Sequence, residues 1–131
     1  NRKSLIAHPM SRDAQLKERW EQLVTILSDR FSQGEDLDLD AIIYLIGIQE
    51  LGQVHREFKK DEKVNLMHIA ICRLLEPYGY YEFEGRDAEN WPHFKLLKTI
   101  PPISDREQQH LIKEAMIDYF VANEYYAEVE K

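Results

Sequence analysis

Between Asp40 and Gln53 the chain reads DAIIYLIGIQELGQ, and no other stretch limits the fold as severely. Ala41 to Ile48 is apolar on nearly every side of a helix, so it has no face to give to water and belongs at the centre of a domain. The run is also far too short to cross a bilayer. Gly47 offers no side chain, which lets a neighbouring helix come close. Glu50 leaves an apolar stripe that also carries Ile43, Ile46, Gly47 and Val54. A carboxylate there must be paired, or its pKa must rise.

The other elements are laid around this segment. Residues 1–10 read as an extended N-terminal arm, because Pro9 disfavours helix at His8. Residues 11–131 then form a single helical domain. Ser11 is the expected cap of a first helix, with Leu16, Trp20, Leu23, Val24, Leu27 and Phe31 on one stripe and Gly34 past its end. The acidic EDLDLD run caps the second helix near Asp38 or Asp40, and Gly52 ends or bends it. A third helix starts at Asp61 and is expected to bury Val64, Met67, His68, Ile71, Leu74 and Leu75, with Pro77 as its stop. Residues 80–84 and 93–97 alternate well enough to pair as a short hairpin. Ser104 and Glu107 then form a capping box for the last helix, which Tyr125 and Tyr126 could extend. The fold class is mainly α: four principal helices with a β-hairpin between the third and fourth, in the order α-α-α-β-β-α. At the level of layout it resembles a winged helix.

Several constellations could carry chemistry. If the second and third helices pack antiparallel, Glu50 meets His68, and Cys72 lies one turn further on. Such a trio is an acid/base pair beside a thiol nucleophile, or simply a buried polar pair that fixes helix register. His110, Glu114 and Asp118 recur at i, i+4 and i+8, a row that could face a divalent cation. Dimetal bundles carry a Glu-x-x-His pattern on two helices, which this chain does not. Tyr80, Tyr81, Trp91, His93 and Phe94 cluster on or beside the hairpin and read as a binding surface. No glycine-rich phosphate loop, nucleophile elbow or zinc-protease motif is present, so no cofactor is expected.

Charge narrows the partners. The net charge is −7 and the pI about 5.2, which disfavours duplex nucleic acid and anionic membrane surfaces. A single cysteine, Cys72, rules out an internal disulfide and fits a reducing cytoplasm.

The segments QELGQ, KDEKVNLMHIAIC, LLEPYGYYEFEG and WPHFK resemble a family of small bacterial proteins with no assigned function, over residues 37 to 120. That resemblance implies a self-contained bacterial cytosolic domain and supplies no site residues. The leading functional expectation is a non-enzymatic cytoplasmic protein-interaction module, acting on a protein partner or on itself as a homodimer. Its surface would come from the hairpin aromatics and the last helix. The alternatives are a small enzyme or ligand-binding protein with Glu50, His68 and Cys72 in a pocket, and a winged-helix-type regulator.

Overall fold

Asp38 is extended, and its carboxylate accepts from the Ala41 amide at 2.8 Å, so the apolar helix begins where its first free N–H groups find an acceptor. After thirteen helical residues Gly52 takes a left-handed φ of +82° and returns its amide to the Ile48 carbonyl. The structure is a computed structural model, which describes residues 12–32, 35–53 and 57–123. Its order is α1 (Arg12–Phe31), α2 (Leu39–Leu51), α3 (Lys60–Leu75), a 3-10 turn (Glu76–Tyr78), β1 (Tyr81–Arg86), β2 (Pro92–Leu96) and α4 (Asp105–Ala122). This is the α-α-α-β-β-α layout expected from the sequence. Ser11, Gly34, Val54, the 1–10 arm and the Tyr125–Tyr126 extension lie outside the described residues.

The core takes side chains from all four helices: Leu16, Leu23 and Leu27 of α1, Ile42, Ile43 and Ile46 of α2, Ala70 and Leu74 of α3, and Ala115, Met116, Ile117 and Phe120 of α4. Ile42, Ile46 and Leu51 are essentially inaccessible, so α2 lies at the hub, as its composition requires. Gly47 packs against the backbone of α3, and a Cβ there would fall inside the Leu66 carbonyl. Ser28, the buried polar residue of the core, accepts from the Leu37 amide at 3.0 Å and ties the α1–α2 connection down. Among the described residues no helix is long and apolar enough to cross a membrane.

Two expectations about α3 are corrected. Its N-cap is Lys59, whose amide donates to Glu62 Oε1 at 2.9 Å, and Asp61 sits in the first turn. Its buried face is Leu66, Ile69, Ala70, Cys72, Leu74 and Leu75, whereas Val64 is 62% exposed and His68 is also exposed. Two apolar stripes overlap on this helix. The one that fits under Gly47 is buried most deeply; of the expected stripe Leu74 and Leu75 are buried, Met67 and Ile71 pack against the core half-buried, and only Val64 and His68 turn outward. Nor are α2 and α3 antiparallel: Gly47 meets Leu66 and Glu50 reaches Arg73, contacts that advance along both helices in the same direction.

β1 and β2 pair antiparallel, with Tyr81 opposite Leu96, Glu82 opposite Lys95 and Phe83 opposite Phe94. The register shifts between Phe83 and Gly85, and Gly85 takes a φ of +117° there. Asp87 organises the tip: its Oδ1 accepts from the Glu89 and Trp91 amides at 2.9 and 3.0 Å. Asn90 takes a φ of 71° and donates from its side chain to the Leu51 carbonyl at 3.3 Å, which docks the tip on the end of α2.

Candidate functional site

Glu50 is the residue around which the polar interior is arranged. Arg73 Nε donates to its Oε1 at 2.7 Å, and the Tyr119 hydroxyl donates to its Oε2 at 2.7 Å. Arg73 Nη1 donates in turn to Glu76 Oε1 at 2.7 Å, while the Phe83 amide donates to Glu76 Oε2 at 3.3 Å. The guanidinium also lies 4.8 Å from the ring centre of Phe83 and 4.9 Å from that of Phe94. One chain of contacts thus joins α2, α3, α4, the 3-10 turn and both strands. Burial alone would lower the Arg73 pKa, but the hydrogen bonds and charges of Glu50 and Glu76 carry it above its ordinary value.

The network closes one side of a cleft of about 450 Å³ between α3, the 3-10 turn and α4. Tyr78, Asp118 and Asn123 line its mouth, and the Tyr78 hydroxyl donates to Asp118 Oδ2 at 3.0 Å. Burial, with Asp118 and then Glu114 nearby, pushes the Tyr78 pKa up. Both Glu50 oxygens are already engaged, so this side chain holds helices together.

The expected acid/base trio is not assembled. Glu50 pairs with Arg73 and Tyr119, not His68. His68 Nε2 lies 3.5 Å from Cys72 Sγ on its own helix, and its ring stands edge-on to Tyr81. Cys72 is buried, and desolvation pushes its thiol up to about 11, opposite to the shift an activated nucleophile needs. The α4 row is likewise divided. Glu114 receives a bidentate contact from Arg12, with Nη2 at 3.0 Å from Oε1, Asp118 takes Tyr78, and His110 Nδ1 lies 3.5 Å from Asp13. No group of three metal-ligating side chains occurs among the described residues.

The hairpin aromatics serve the seam more than the surface. Phe83 and Phe94 enclose Arg73, Tyr81 meets His68, and Tyr80 carries Lys98 Nζ 4.9 Å from its ring centre. Trp91 is half-buried at the tip, and His93 is exposed, with Nε2 2.9 Å from Asp87 Oδ2. That contact, with the Trp91 and Glu89 amides, lowers the Asp87 pKa. The large apolar side chains most exposed among the described residues are Phe31 at 53%, at the end of α1 and off its expected buried stripe, and the aliphatic Val64 at 62%, Leu96 at 52% and Leu97 at 50%. Val64 precedes His68 by one helical turn, His68 touches Tyr81, and Tyr81 is opposite Leu96. These residues make a strip that crosses from α3 to the hairpin. The last helix adds little apolar surface to the outside, since Ala115, Met116, Ile117 and Phe120 all face the core.

Sequence reasoning missed Arg73 and Tyr119 as the partners of Glu50, and Glu76 as the second partner of Arg73. The i,i+3 spacing of Arg73 and Glu76 was a visible signal; Tyr119 on an apolar stripe of α4 gave none. Comparison with protein-family models, curated proteins and solved structures finds no match to this chain.

Proposed function

We propose that the chain is a non-enzymatic protein-interaction module of the bacterial cytoplasm. The strip of Val64, His68, Tyr81, Leu96 and Leu97 is its contact face. One observation carries the reading: exposed aliphatic side chains on two different elements are joined through the His68–Tyr81 contact, while the buried titratable groups are spent on holding the fold. The single buried thiol supports a reducing compartment.

The test is site-specific photo-crosslinking in the intact protein. A benzophenone side chain in place of Val64 or Leu96 should give adducts of discrete mass in cells, and the same group in place of exposed Glu18 on α1 should not. An adduct of twice the chain's mass would identify the partner as a second copy. Equal labelling at all three positions, or none at any, would contradict the proposal.

A further inference from the structure

The two edges of the hairpin are not alike. The Leu97 amide donates to the Tyr80 carbonyl at 2.9 Å, which sets the alternation of the antiparallel ladder. Residues 82 and 95 therefore bond across the pair, while Tyr81, Phe83, Phe94 and Leu96 turn their backbone groups outward. On the β1 side the Phe83 amide is taken by Glu76. On the β2 side no acceptor for the Phe94 or Leu96 amide occurs among the described residues. Lys95, Leu96 and Leu97 are exposed along that edge. An edge strand with free amides and exposed aliphatic side chains is a template for a further strand.

Charge selects the occupant. The ionisable side chains of β2 are His93 and Lys95, and Lys98 follows it. A strand added antiparallel bonds opposite Phe94 and Leu96. It then meets Lys95 in the closer, non-hydrogen-bonded position, where Cα atoms are about 4.5 Å apart. A second copy fits badly. Two registers let both outward amides find acceptors in β2 of another copy: one sets Lys95 against Lys95, and the other sets Leu96 against Pro92, which has no amide to donate in return. Like charges directly opposite destabilise a pair.

We infer that the free edge of β2 binds an extended segment of a partner protein in which acidic side chains alternate with apolar ones, adding a third strand to the hairpin. A carboxylate of the segment faces Lys95, and its apolar side chains extend the face that carries Phe94 and Leu96. The inference rests on the interaction role proposed above and names its partner chemistry.

The probe is a short peptide, Thr-Val-Glu-Val-Glu-Val-Thr, titrated into the full chain by calorimetry and by amide NMR, beside a control with lysine in place of glutamate. The acidic peptide should bind, shift the Phe94 and Leu96 amides most, and slow their exchange. Lys95→Glu, with its fold verified by circular dichroism, should weaken the acidic peptide about tenfold and reverse the preference between the two. Leu96→Pro, which removes one outward donor, should weaken both. Equal affinity for the two peptides, shifts centred elsewhere, or no binding would overturn the inference. So would a dimer joined through β2. Crosslinks from Val64 with no peptide binding at β2 would leave the interaction role standing and remove only this partner.

Discussion

At the scale of single residues, the contrast between Glu50 and Cys72 shows how burial decides a role. Glu50 is fixed in place because Arg73 and Tyr119 meet both oxygens. Glu50→Gln would leave Arg73 partly buried with a weaker acceptor, so the denaturation midpoint should fall by the equivalent of about 1–3 kcal/mol. An unchanged midpoint would mean that the pair is solvated. Cys72, whose Sγ lies 3.5 Å from His68 Nε2, is kept protonated by burial, with a pKa of about 11 against an ordinary 9.0. It should resist alkylation at neutral pH in the folded state and react once denaturant is added. Because the folded pKa is the higher one, the stabilisation is complete below pH 9 and is lost as pH rises from 9 to 11. The rise from 9.0 to about 11 caps that loss at about 3 kcal/mol. Cys72→Ala should flatten stability over that window, although Tyr78, also raised, will keep a residual slope. An identical slope in the variant would contradict the assignment to Cys72.

At the scale of elements, Gly47 within α2 and Gly52 just past its end should differ in how much a methyl group costs. Gly47 has the Leu66 carbonyl where a Cβ would go, so Gly47→Ala must push α2 and α3 apart, with a cost of about 3 kcal/mol or failure to fold. Gly52 has open space around it and only its φ of +82° to protect, so Gly52→Ala should cost about 1 kcal/mol. Urea midpoints of the two variants check the ranking, and a Gly52 effect equal to the Gly47 one would contradict the close approach. These elements were legible in the sequence to different degrees. The α2 hub, the Asp38 cap, the Gly52 stop and the Ser104–Glu107 box were readable because each depends on local chemistry. The rotation of α3 was not: Val64–His68 and Leu66–Ala70 are both apolar stripes, and only the partner helix decides between them. The Glu50–Arg73 contact failed to show for the same reason, since it depends on a crossing that neither helix specifies alone.

At the scale of the whole molecule, the buried ion network and the candidate contact surface are two sides of one arrangement. Glu50, Arg73 and Glu76 draw the hairpin onto the bundle from its β1 side, the Phe83 and Phe94 rings close over the guanidinium, and Asn90 fixes the tip to α2. A hairpin held so firmly on one edge can present the other without collapsing, which an isolated two-stranded ribbon in water could not do. Amide exchange across the hairpin tests this directly. The Glu82, Lys95 and Phe83 amides should exchange slowly, the first two inside the ladder and the third on Glu76, while those of Phe94 and Leu96 exchange near the rate of an unprotected chain. Protection of Phe94 and Leu96 equal to that of Glu82, or a Phe83 amide as fast as they are, would contradict the account.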